Sequence, residues 1–128
     1  MKRLPDTELE VMKALWASGP DTTRAQLEQS LEAFRWASNT INTYLTRLVE
    51  KGFVSVCREG KTNLYTPLVG REEYLAFDSR AVLDRLYGTP RNFVAALARD
   101  GLDRGELDRG ELEELQALLE ELKGGPRE

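Results

Sequence analysis

Asn39, Thr43, Thr46 and Arg47 recur at separations of three and four residues, the spacing that brings side chains to one face of an α-helix, with Asn42 at its border. An asparagine amide pairs with adenine, an arginine with guanine or phosphate, and a threonine methyl packs on thymine. Thr40 belongs to the same segment and joins this candidate set. The opposite arc holds Ile41, Leu45 and Leu48, with Tyr44 and Val49 at its margins. From Trp36 to Val49 there is no carboxylate, although Asp plus Glu outnumber Lys plus Arg by 22 to 18 over the chain. The alternative is an ordinary solvated face, but in an acidic protein such faces usually carry Glu and Lys pairs.

The elements that must position this face follow from pattern. Ser38 is an N-cap candidate for the polar helix and Gly52 its stop. A first helix begins near Thr7, where Thr7 and Glu10 match a capping box, and buries Leu9, Met12, Leu15 and Trp16 before Gly19-Pro20. A second runs from Thr22 or Thr23 to Leu31 with Ala25, Leu27 and Leu31 inward. Trp16 and Trp36 read as core or hinge anchors. After Gly52, residues 53–58 and 63–66 alternate with the sheet period around a Glu59-Gly60-Lys61-Thr62 turn, and Pro67 closes the second strand. Three helices and a hairpin with Arg58 and Lys61 at its tip are the order of a winged helix-turn-helix, in which the third helix enters the major groove and the wing touches backbone.

Composition narrows the function classes. The chain has 128 residues, 41% of them hydrophobic, enough for one domain or a domain with an extension. It has no histidine, so the commonest general base and metal ligand are absent. No zinc-ligand spacing, phosphate-binding loop or dinucleotide fingerprint occurs. The reading is therefore a protein that is not an enzyme and needs no cofactor or metal. Cys57, the only cysteine, is expected to be a buried inert thiol. No stretch has the length of a membrane span, and a cytoplasmic location without membrane insertion is expected. Charge is uneven: residues 1–68 hold nine basic and eight acidic side chains, residues 69–128 nine and fourteen. Residues 35–61 set Arg35, Arg47, Lys51, Arg58 and Lys61 against Glu50 and Glu59, a local excess suited to phosphates.

The second half carries more apolar surface than one narrow stripe can use. A helix over about 71–87 holds Tyr74, Leu75, Phe77, Ala81, Val82, Leu83 and Leu86. Gly88 breaks it, and Thr89-Pro90 suits the start of a short helix whose buried side has Phe93, Val94 and Leu97. In a last helix, Leu112, Leu115, Leu118, Leu119 and Leu122 share one arc. A second copy of the chain is the simplest partner for these residues, with Leu75, Val82, Leu86, Phe93 and Leu97 contributing; folding back onto the first half is the alternative. The pentapeptide Leu102-Asp103-Arg104-Gly105-Glu106 is repeated from Leu107 to Glu111. Asp108 is the favoured cap for the last helix, leaving the first copy as a lengthened loop.

These residues resemble the penicillinase-repressor (BlaI/MecI) family of bacterial transcription regulators. The likeness is carried by Leu9-Glu10-Val11-Met12 with Leu15-Trp16, Thr40-Ile41-Asn42-Thr43, Leu45-Thr46-Arg47-Leu48, Lys51-Gly52, Glu59-Gly60-Lys61 and Tyr65-Thr66-Pro67-Leu68. It implies a homodimeric repressor on a palindromic operator. In some members a sensor triggers cleavage at an Asn-Phe bond; Asn92-Phe93 stands about four residues before the equivalent place, nearer Ala96-Leu97. The paired C-terminal cysteines of a copper-sensing branch are absent. The residues identify neither the target genes, the inducing signal nor an upstream sensor or protease.

The expected fold is mainly α with a small β-hairpin: a winged helix-turn-helix DNA-binding domain over 1–69 and a C-terminal helical dimerisation region over 70–128. The expected function is a sequence-specific repressor binding double-stranded DNA as a homodimer. A winged-helix protein-interaction module without DNA binding is the alternative.

Overall fold

Val11, Met12 and Leu15 on one side of an amphipathic helix meet Leu27, Leu31, Ile41, Leu45 and Leu48 from two others, and all are buried. The computed structural model describes residues 1–124; residues 125–128, the end of the 70–128 region, lie outside the described residues. The elements are α1 (Asp6–Ser18), β1 (Thr22–Thr23), α2 (Arg24–Ser30), α3 (Ser38–Glu50), β2 (Val54–Glu59), β3 (Thr62–Pro67), α4 (Arg71–Val82), α5 (Pro90–Asp103) and α6 (Arg109–Lys123). A 3-10 turn, Glu32–Phe34, links α2 to α3, and a π-helical turn, Leu83–Tyr87, extends α4. The chain forms two compact units, Met1–Ser79 and a second beginning at Arg80.

The helix starts differ from the sequence expectation. Pro5, not Thr7, caps α1, without a side-chain bond; its carbonyl accepts from Leu9 N at 2.9 Å. Proline fixes the entering φ, while Asp6 and Glu8 complement the positive end of the helix. Val11 is fully buried and Leu9 only half-buried. Ala37, not Ser38, is the N-cap of α3, and the Ser38 hydroxyl instead donates to the Glu28 carboxylate. α2 begins, within the range expected, after a Thr23 cap: Thr23 Oγ1 accepts from Gln26 N, and Thr23 N donates to Gln26 Oε1. Ala25 is exposed rather than inward, because two residues turn a helix by about 200° and Leu27 holds the buried face.

α3 ends at the Gly52 stop that the sequence predicts. Phe53 N donates to the Leu48 carbonyl and Gly52 N to that of Val49, with Gly52 at φ 82°, a left-handed closure that a side chain would strain. The chain then turns directly into β2.

The sheet has three strands in the order β1-β3-β2, not two. Thr22 and Thr23 pair with Tyr65 and Leu64, a strand too short to show a period in sequence. β2 and β3 run from Val54↔Pro67 to Glu59↔Thr62 around a Gly60-Lys61 turn. Only Val54 of β2 is buried; the hairpin continues past the core, so both its faces meet solvent. Cys57 is consequently exposed, against the expectation of a buried thiol.

Tyr74 explains why the first unit includes the beginning of α4. Its side chain is 1% exposed, its hydroxyl accepts from Leu4 N at 2.7 Å, and its ring contacts Trp16, Phe53 and Phe77. Trp16 Nε1 donates to the Val69 carbonyl at 2.9 Å.

The long helix expected over 71–87 is α-helical only to Val82; the π-turn completes it, and Gly88 ends it at φ 78°. α5 is longer than the short helix expected, 14 residues, with Thr89 Oγ1 accepting from Asn92 N and Pro90 in its first turn. Asp108 caps α6, its carboxylate accepting from Glu111 N at 2.8 Å. Leu102 and Asp103 finish α5, so only the remainder of the first repeat copy forms the connection.

Candidate nucleic-acid interface

The apolar arc of α3 is seated: Ile41, Leu45 and Leu48 are at most 2% exposed. Its other side therefore faces outward as a unit. Asn39, Asn42, Thr43, Thr46 and Arg47 are all exposed and Thr40 is half-buried. Arg47 and the side-chain amides of Asn39 and Asn42 make no hydrogen bond or ion pair among the described residues. Their donors and acceptors are thus available to a groove. The two threonines differ, since Thr43 Oγ1 donates to the Asn39 carbonyl at 3.0 Å and Thr46 Oγ1 to that of Asn42 at 2.9 Å.

Trp36 anchors the entrance of α3. Its ring stacks on Phe34 with centroids 4.6 Å apart and meets Tyr44 edge-on at 5.2 Å. Arg35, between the two aromatics, adopts φ 56° and is exposed. This clasp sets where the first turn of α3 begins.

At the hairpin, Arg58 and Lys61 are exposed. Arg58 Nε donates to the Gly60 carbonyl at 3.1 Å, and its terminal guanidinium nitrogens make no hydrogen bond or ion pair among the described residues. Lys61 has no ion-pair partner among the described residues.

Tertiary packing adds residues that the sequence did not single out. Lys61, Thr62 and Asn63 share a cleft of about 290 Å³ with Thr23 and Arg24 at the start of α2. Two cations from distant positions thus flank one concavity that the Glu28 carboxylate also lines, 3.9 Å from Arg24 Nε. Asn63 also lines a second cleft, about 260 Å³, with Asn42, Thr46, Val49, Glu50, Val56 and Tyr65. The hairpin register places Asn63 opposite Arg58. That pairing was the signal available for Asn63; none existed for Arg24, whose position beside Lys61 depends on β1 joining β3.

The remaining candidates lie elsewhere. Leu75 is in the first unit, exposed on α4. In the second unit Leu86, Leu97, Leu115, Leu118, Leu119 and Leu122 are between 43% and 68% exposed, and Val82, Phe93 and Leu112 are half-buried. Val94, expected on a buried side, is 56% exposed.

Comparison with known proteins accounts for this arrangement. Residues 4–121 match the model of the penicillinase repressor family. The chain belongs to the penicillinase repressor family. Against the penicillinase repressor of Bacillus licheniformis it is 32% identical, with the whole of both chains covered. Against the transcriptional regulator BlaI of Mycobacterium tuberculosis H37Rv it is also 32% identical, over 91% of this chain and 88% of the relative. The solution structure of the DNA-binding domain of the repressor BlaI superposes with a TM-score of 0.51 at 33% identity, covering 58% of this chain and 94% of that one. As a member of the penicillinase repressor family the chain is a winged-helix, DNA-binding transcriptional repressor and not an enzyme. Among the described residues no helix is long and apolar enough to cross a membrane.

Proposed function

We propose that this repressor binds a palindromic DNA operator as a homodimer, with α3 of each copy in the major groove of one half-site and the hairpin on the adjacent backbone. The carrying observation is the outward face of α3: exposed, free of carboxylates from its first residue to Val49, and carrying an Arg47 that has no ion-pair partner among the described residues. Asn39, Thr40, Asn42, Thr43, Thr46 and Arg47 read or grip the groove, and Arg58 and Lys61 hold phosphates. Arg24, which shares a cleft with Lys61, extends the phosphate contacts.

Dimerisation is supported by the second unit. Among the described residues of α6 none is buried, although five leucines share one arc of it. Each leucine covered contributes roughly 1.5–3 kcal/mol, and a lone helix of this length is marginal in water. A second copy supplies the same stripe in return, the self-complementary surface that a two-fold interface needs. On this reading residues 1–69 form the DNA-binding domain and the region from residue 70 the dimerisation part, in the cytoplasm where the operator is.

Selection from a random duplex library with purified protein, followed by light scattering of the recovered complex, tests the proposal. A palindromic sequence carrying two chains supports it. Recovery of an unsymmetrical site by one chain removes the dimer, and no enrichment at low salt removes the DNA reading in favour of a protein-interaction module.

A further inference from the structure

The hydroxyl groups of Thr43 and Thr46 are already committed. Each donates to the carbonyl four residues earlier, Asn39 at 3.0 Å and Asn42 at 2.9 Å. A hydroxyl has one proton, so neither threonine retains a donor for a base edge. The threonine Cβ otherwise bears a hydrogen and a methyl. A hydroxyl turned onto the backbone leaves that methyl as the other heavy group an exposed side chain presents. Residues three apart on a helix are neighbours, so the two methyls lie on one face.

The surroundings favour a carbon contact as well. The cleft that Thr46 lines holds the polar Asn42, Glu50 and Asn63 but also Val49, Tyr65 and Val56, and Val56 offers an apolar surface that is 44% exposed. In the major groove only thymine offers a carbon group, its C5 methyl; guanine offers two acceptors, which find no proton on these threonines. Resting on the DNA-binding reading above, we infer that Thr43 and Thr46 are thymine-methyl sensors that select thymine over cytosine and reject guanine at the positions they face. Asn39, Asn42 and Arg47 then supply the hydrogen-bonded part of the readout.

Deoxyuridine isolates the methyl, because it keeps every hydrogen-bonding group of thymine. Each thymine of the operator recovered by selection is replaced in turn, and binding of the full chain is followed by fluorescence anisotropy. One or two positions per half-site should lose about fourfold in affinity per methyl. T43V and T46V keep the methyl and lose the hydroxyl; they should retain the uracil penalty. T43S and T46S keep the hydroxyl and lose the methyl; they should bind thymine and uracil operators equally, with unchanged circular dichroism. A well-bound operator that tolerates uracil everywhere overturns the inference and leaves the DNA reading intact. So does a penalty that survives in the serine variants and vanishes in the valine ones. Failure to bind any duplex overturns the DNA reading itself and this inference with it.

Discussion

Lys51 Nζ stands 2.5 Å from Glu8 Oε1, and the Glu8 side chain is only 2% exposed. The contact joins α1 to the residue that caps the C-terminus of α3, so a charge pair fixes the far end of the proposed reading helix. Lys51, counted in sequence as part of a basic excess available to phosphates, is largely committed to this internal task.

Replacing Lys51 by Met leaves the Glu8 carboxylate buried without its partner, which costs about 1–3 kcal/mol. Urea denaturation should show the loss. Adding Glu8→Leu should restore a good part of it, since an apolar pair often substitutes for a buried ionic one. A Lys51→Met variant as stable as the parent would show that the charge pair contributes nothing net and that the packing of the Lys51 stem suffices.

Lys61 is expected to act on phosphate. Lys61→Ala should weaken binding to all duplexes by a similar factor and make the salt dependence shallower by about one unit of slope. Titrations at several salt concentrations on matched and scrambled operators give both quantities. An unchanged affinity at the matched operator would remove the hairpin tip from the interface, and with it the shared role of Arg24 in the same cleft.

Arg47 carries the one long cationic side chain on the outward face of α3. Arg47→Ala should cost about 1–3 kcal/mol at the matched operator and relax the preference at a single base pair, as loss of a bidentate guanine contact does. Competition among single-base operator variants measures this. A loss equal at every variant would reassign Arg47 to the backbone.

Leu118 and Leu119 are 49% and 55% exposed on α6. In a homodimer the pair Leu118→Glu and Leu119→Glu should place carboxylates inside the interface and shift light scattering from two chains to one at micromolar concentration. Affinity for a full operator should then fall towards that for a half-site. The same mass as the parent protein would move the dimer contact off α6.

What the sequence determined by itself is the set of properties that depend on local spacing. The apolar arc of α3, its outward polar face, the Gly52 closure, the Gly60-Lys61 turn, the Thr23 capping box and the Asp108 cap are each set within about five residues by helix and strand periods or by a backbone conformation that favours glycine. The absence of histidine, likewise, was readable without a fold.

Tertiary structure decided whatever depended on distant partners. Thr22 and Thr23 become a strand only because β3 lies beside them, and that pairing brings Arg24 to Lys61. Cys57 alternates like a core residue but sits where the hairpin has outrun the core. Tyr74 belongs to the α1–α3 core instead of the C-terminal helices, since Leu4, Trp16 and Phe53 reach it from far along the chain. Glu8 and Lys51 are 43 residues apart and could meet only after α1 and α3 had packed. Local energies select the elements, but which surfaces each element buries is settled by long-range packing, because burial requires a partner that no short window contains.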